Sequence, residues 1–119
     1  MSPHPIIHTF WLDALMNNSR LDAGSINEIK PGKMKRVDVG NGKRILVCHV
    51  DGEFYAVDDM CTHEDASLYL GCLHGDRVQC SLHGAEFSVK TGAPMAEPAE
   101  IPLKTYPVSV EDGHIFVTV

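Results

Sequence analysis

The chain has 119 residues, of which 44% are hydrophobic and 22% are charged, and its net charge is −6 at pH 7. This length predicts a single domain with a core of its own. The acidic balance argues against nucleic acid and anionic membranes as partners, and it favours partners with basic docking faces. No apolar stretch reaches about 18 residues and the N-terminus lacks a basic region, so we expect no membrane span, no signal peptide and a cytoplasmic location.

Residues 1–25 are the least regular part of the sequence. The stretch 6–15 mixes apolar and polar residues without a clean period, and 22–25 has the composition of a loop. We therefore interpret residues 1–25 as an N-terminal segment that includes an extension or insertion, and place the main domain at residues 26–119.

A meander of short strands is predicted next. Residues 34–39, 45–50 and 54–57 have the lengths and residue types of strands. The pairs Asn41-Gly42 and Asp51-Gly52 separate them, and such pairs adopt the positive φ angles that tight hairpin turns need. The sequence thus predicts an antiparallel sheet that leads directly to residue 61.

Two short motifs follow, Cys61-Thr62-His63 and Cys80-Ser81-Leu82-His83, with 16 residues between His63 and Cys80. Thiolates and imidazoles in paired short spacings indicate an iron–sulfur cluster or zinc. Zinc fingers usually pair like ligands. One cysteine and one histidine in each motif suit a two-iron centre better, because each iron can take one type of ligand.

The second half of the chain also predicts short strands. Residues 95–103 are predicted to be irregular because Pro94, Pro98 and Pro102 interrupt them. Residues 104–110 alternate with period two, which is typical of a half-buried strand. The predicted strands of this half are 77–79, 86–90, 104–110 and 115–119, with a hairpin turn at Asp112-Gly113 before the last.

The two motifs resemble those of the Rieske family, in which C-x-H and C-x-x-H hold one [2Fe–2S] cluster. The resemblance covers about residues 26–119. It implies that Cys61 and Cys80 bind the inner iron and that His63 and His83 bind the outer iron. It also implies an all-β Rieske fold, an antiparallel β-barrel or sandwich with a small cluster-binding subdomain inserted at about residues 59–90.

The other cysteines and histidines do not have ligand spacing. Cys48 lies in an apolar run and is predicted to be a buried small hydrophobe. Cys72 is interpreted as an unpaired packing residue, with an oxidation-sensitive thiol as the alternative. Surface or core positions away from the cluster are predicted for His4, His8, His49, His74 and His114.

Substitutions beside the motifs predict a low reduction potential. High-potential members of the family carry two extra cysteines that form a disulfide, and a Ser and a Tyr that donate hydrogen bonds to cluster sulfur. Ala66 and Leu82 stand at the cysteine positions, Ala85 at the Ser and Phe87 at the Tyr. Fewer donors leave the reduced cluster less stabilised. Gly84 is predicted to permit a positive φ angle or a close approach of the backbone to the cluster.

The resemblance is strongest to the ferredoxin components of bacterial aromatic ring-hydroxylating dioxygenases of the biphenyl or carbazole type. It implies a monomeric one-electron carrier, with no catalytic residues of its own, between an NAD(P)H-dependent flavin reductase and a terminal oxygenase. Two alternatives remain open from the sequence. One is the small Rieske-like subunit of an assimilatory nitrite reductase, and the other is a zinc-stabilised interaction module.

Overall fold

The computed structural model of the protein describes residues 20–62, 65–82 and 84–119. These residues form eleven strands in three antiparallel sheets, which confirms the predicted all-β class. The strands are β1 Arg20–Ser25, β2 Met34–Gly40, β3 Lys43–Val50, β4 Glu53–Asp58, β5 Cys72–His74, β6 Arg77–Gln79, β7 Glu86–Ser88, β8 Pro94–Ala96, β9 Thr105–Tyr106, β10 Val108–Glu111 and β11 His114–Thr118. No helix within the described ranges is long and apolar enough to cross a membrane.

The first sheet, with strand order β2-β3-β4-β9, contains the predicted meander. Asn41 and Gly42 have φ angles of 56° and 75°, and Asp51 and Gly52 have 52° and 81°. These left-handed pairs are those of a primed hairpin turn, whose twist matches that of the flanking strands. The sequence prediction of both turns is confirmed.

The second sheet has the order β1-β11-β10. Its edge strand β1 shows that the predicted loop at residues 22–25 was wrong. The pairing with β11 shifts register between Asp22 and Gly24, where Gly24 has a φ angle of 111° and its amide donates to Asp22 Oδ1 at 2.8 Å. A bulge on an edge strand takes the same Asp and Gly residues as a loop, so the composition did not distinguish them.

The predicted single strand at 104–110 is divided between two sheets. Tyr106 in β9 pairs with Ala56 in the first sheet, whereas Val108 in β10 pairs with Val117 in the second. Pro107 lies between the two strands, and its carbonyl accepts a hydrogen bond from the Thr118 amide. Because proline has no amide proton for a ladder, the chain changes sheets at this residue.

The third sheet, β5-β6-β7-β8, is small and contains two strands that the sequence did not predict, β5 and β8. Met95 and Ala96 were predicted to be irregular but belong to β8, which pairs only with β7 among the described strands. An edge position tolerates proline because one side of the strand needs no ladder hydrogen bonds. The prediction of irregular structure was therefore wrong at the start of this stretch.

The protein has two hydrophobic cores among its described residues, and strand β3 contributes side chains to both. Its successive side chains point to opposite faces, so Ile45 and Val47 join the core with the second sheet, and Leu46 and Cys48 join the core with the third sheet. Cys48 is fully buried and the burial raises its pKa to about 12, which confirms that it is a small hydrophobe. Cys72 is exposed, so its predicted packing role was wrong.

Candidate metal centre

The two predicted cysteine ligands lie in one core. Cys61 is 3% exposed and Cys80 is 2% exposed, and both belong to the hydrophobic core beneath the third sheet. Cys61 follows β4 closely and Cys80 follows β6 directly. His63 and His83 lie outside the described residues, so the assignment of all four ligands stays a prediction.

The first loop, residues 61–71, is closed by backbone hydrogen bonds close to Cys61. The Cys61 amide donates to the Ala66 carbonyl at 2.9 Å, and the Leu68 amide donates to the Asp59 carbonyl at 2.7 Å. Met60 and Ser67 form an isolated antiparallel bridge between these contacts. These contacts bring residues 66–68 back beside residues 59–61, where the loop begins.

Side chains also fasten the first loop. The Ser67 hydroxyl donates to Asp59 Oδ2 at 2.6 Å, and the Tyr69 amide donates to Asp59 Oδ1 at 3.0 Å. The Thr62 hydroxyl donates to the Ile101 carbonyl at 2.6 Å, which ties the loop to the proline-containing segment. Asp59 was not predicted from the sequence, where its only signal is an acid two positions before Cys61.

The second loop, residues 80–85, is held by its backbone. The Cys80 amide donates to the Ala85 carbonyl at 2.7 Å. This hydrogen bond corresponds to the one in the first loop from the Cys61 amide to the Ala66 carbonyl. Gly84 has a φ angle of 73°, which confirms the predicted positive φ. An L side chain rarely adopts this conformation, so the turn depends on glycine.

Gly71 is the point at which the two loops approach each other. A Cβ atom built on it would overlap with the Gln79 carbonyl oxygen and would lie 3.2 Å from the Ser81 amide. Its φ angle is −90°, outside the left-handed region that favours glycine. Glycine is required at this position because there is no room for a side chain between the end of the first loop and the residues beside Cys80.

A family model for the Rieske [2Fe-2S] domain matches residues 19–107. The chain belongs to the Rieske family. Its cofactor is one Rieske-type [2Fe–2S] cluster, as in that family.

Relatives of similar length are ferredoxins. The chain is 43% identical to the 3-phenylpropionate/cinnamic acid dioxygenase ferredoxin subunit of Photorhabdus laumondii over 85% of this chain and 95% of the relative. It is 44% identical to the biphenyl 2,3-dioxygenase ferredoxin component of Rhodococcus jostii RHA1, over 78% and 86%. A chain in the complex of reduced oxygenase and oxidized ferredoxin in carbazole 1,9a-dioxygenase matches with a TM-score of 0.82 and 36% identity, covering 86% of this chain and 94% of that one.

The described residues fit a Rieske cluster. Cys61 and Cys80 provide two sulfur donors in one core at the bases of two closed loops, and the Cys61 thiol is free. Ala85 at the end of the second loop and Phe87 in β7 are fully buried and carry no hydroxyl. The two cysteines predicted as ligands are therefore enclosed by apolar groups.

The described histidines outside the motifs have contacts of their own. His49 Nδ1 lies 2.8 Å from the Ile29 carbonyl oxygen, and His74 Nε2 lies 3.2 Å from Gln79 Oε1. His114 Nδ1 lies 3.1 Å from Asp22 Oδ2. His4 and His8 lie outside the described residues.

Proposed function

We propose that this protein carries single electrons from an NAD(P)H-dependent flavin reductase to the terminal oxygenase of an aromatic ring-hydroxylating dioxygenase. The observation that carries the proposal is the match to dioxygenase ferredoxins over nearly their whole length, 95% of the relative from Photorhabdus laumondii. The carrier has no catalytic residues of its own. We place it in the cytoplasm as a monomer, with no nucleic acid or membrane partner.

The proposed ligands are Cys61 and Cys80 for the inner iron and His63 and His83 for the outer iron. The cluster, when bound, supplies a one-electron couple whose reduced form carries one more negative charge. Two buried thiolates would fix the inner iron inside the protein, and the proposed histidine ligands follow Cys61 and Cys80 in the sequence of the same two loops. We infer that the histidine side of the centre is where both partners dock.

A low potential is part of the proposal. Ala85 and Phe87 are fully buried and cannot donate a hydroxyl hydrogen bond to sulfur. The reduced cluster is then less stabilised, and the potential is expected near the lower end of the Rieske range, about −150 mV. A flavin reduced by NAD(P)H can reduce a cluster of such low potential. This supports a place in the electron-transfer sequence that ends at an oxygenase.

The purified protein, its cluster intact, tests the proposal. We expect a red-brown protein with two irons and two inorganic sulfides, a Rieske electron paramagnetic resonance (EPR) spectrum on reduction, and electron transfer from a biphenyl-type flavin reductase to its oxygenase. His63→Ala and His83→Ala should each abolish the spectrum, whereas the matched controls His49→Ala and His74→Ala should keep it. Stoichiometric zinc without visible absorption would contradict the proposed cofactor, and a normal spectrum in His83→Ala would contradict the ligand set.

A further inference from the structure

Asp59 is the only carboxylate among the buried side chains of the described residues, and it is 1% exposed. It lies two positions before Cys61, at the end of the sheet that leads into the first loop. Burying a carboxylate is unfavourable unless hydrogen bonds compensate for lost water. The groups that satisfy Asp59 therefore indicate what the side chain does.

The contacts of Asp59 join the two ends of the first loop. Its Oδ2 accepts from the Ser67 hydroxyl at 2.6 Å and its Oδ1 accepts from the Tyr69 amide at 3.0 Å. Its backbone amide donates to the Arg44 carbonyl at 3.2 Å, and its carbonyl accepts from the Leu68 amide at 2.7 Å. One residue thus connects strand β3, the start of the loop and the end of the loop.

The Ser67 hydroxyl extends this network to a cation on strand β2. Its single proton goes to Asp59, so it accepts from Arg36 Nη1, at 3.0 Å. The Arg36 guanidinium also lies 5.2 Å from the centre of the Tyr69 ring. The carboxylate, the hydroxyl and the guanidinium form one chain of contacts, in which Ser67 is required by both charged groups.

We propose that Asp59 is a positioning residue for the Rieske cluster: its carboxylate holds the first loop closed around Cys61, and its negative charge lowers the reduction potential. The inference rests on the ligand set proposed above. The Cα atoms of Asp59 and Cys61 are at most about 7 Å apart, because two residues span no more. Buried charges are screened weakly, so a fixed carboxylate at this position opposes the negative charge that reduction adds.

The charge is tested with Asp59→Asn, which keeps the shape and one of the two acceptor oxygens, in the protein carrying its cluster. The matched control is Asp58→Asn, because Asp58 is adjacent, half-buried, and contacts Tyr106 and Lys43. We expect Asp59→Asn to shift the reduction equilibrium about tenfold towards the reduced form, which is about 59 mV for a one-electron couple. The control should shift it less than about threefold, as its charge is nearer solvent.

Protein-film voltammetry decides between the outcomes. Equal shifts in the two variants, or a lower potential in Asp59→Asn, would overturn the role of the charge. If Asp59→Asn alone fails to retain the cluster while Asp58→Asn retains it, the positioning role is supported directly. A wild-type protein without a Rieske spectrum would instead overturn the proposed function, so the two failures are distinguishable.

The positioning role is tested separately with Ser67→Ala, which leaves the carboxylate in place. The matched control is Ser88→Ala, because Ser67 and Ser88 are both 8% exposed and the Ser88 hydroxyl accepts from the amides of Lys90 and Thr91. With a chelator present, we expect Ser67→Ala to lose its visible absorption about fivefold faster than wild type, because the hydrogen bonds to Asp59 and from Arg36 are both lost. Equal rates in Ser67→Ala and Ser88→Ala would overturn the positioning role.

Discussion

The first loop and the second loop both begin at a buried cysteine and close through that cysteine's amide, but they differ in what holds the remainder. In the first loop, side chains bind backbone and other side chains, through Asp59, Thr62 and Ser67. In the second loop, a short turn with Gly84 at a φ angle of 73° provides the closure. A long loop has more conformational freedom to lose, so it needs more anchors than a tight turn.

The largest expected effect comes from Gly71→Ala, which forces the two loops apart. The added methyl group overlaps with the Gln79 carbonyl oxygen, and backbone cannot move aside as a flexible side chain can. We expect a loss of about 3 kcal/mol or more in the free energy of unfolding, with loss of the cluster. Thermal unfolding and visible absorption measure both effects.

The control for Gly71→Ala is Gly75→Ala, at a position with no atom within 4 Å of an added Cβ. Its φ angle is 60°, so we expect strain of about 1–2 kcal/mol and a retained cluster. If Gly71→Ala were no more harmful than Gly75→Ala, the two loops would not depend on the close approach at Gly71.

Gly84→Ala should affect the second loop next most strongly. Alanine at a φ angle of 73° is strained by about 1–2 kcal/mol, and among the described residues that are not its chain neighbours the atom nearest to its Cβ is Gln79 Nε2, at 3.5 Å. We expect the cluster to be released faster than in wild type, measured by visible absorption with a chelator. Gly84→Asn should recover part of the loss because asparagine tolerates left-handed backbone, and no recovery would show that backbone conformation is not the cause.

Thr62→Val should have a smaller effect that is specific to the first loop. The change removes the hydroxyl that donates to the Ile101 carbonyl at 2.6 Å, and one such hydrogen bond contributes about 0.5–1.5 kcal/mol. Chemical denaturation measures this loss. The counterpart in the second loop is Ser81→Ala, an exposed side chain for which we expect a change within about 0.5 kcal/mol. Comparable losses in both variants would remove the contrast between the loops.

The smallest expected effect is on the potential, through Ala85→Ser beside the second loop. Ala85 is fully buried, so a new hydroxyl must find a partner, and cluster sulfur is the acceptor that the proposed function supplies. A hydrogen bond that favours the reduced state by about 0.5–1 kcal/mol raises a one-electron potential by about 20–40 mV. Voltammetry of the variant measures the shift, and an unchanged potential would show that the hydroxyl does not reach sulfur.

The family and much of the main sheet were predictable from local sequence. The two ligand motifs identify the Rieske family because residue type and spacing are properties of the chain itself. Hairpin turns such as Asn41-Gly42 and Asp112-Gly113 were predicted correctly, since positive φ angles depend on the residues at the turn. Cys48 was recognised as buried because its neighbours in β3 are apolar.

Other features depended on contacts between residues far apart in the chain. Strand β1 exists because it pairs with β11, and the change of sheet at Pro107 depends on which strands are already beside it. The environment of the first loop depends on Arg36 reaching Ser67 across 31 positions, and the need for glycine at Gly71 arises only where Gln79 packs against it. Sequence spacing thus defined which residues are available to bind the cluster, whereas tertiary packing decided what surrounds them, because burial and hydrogen bonding are set by neighbours in space.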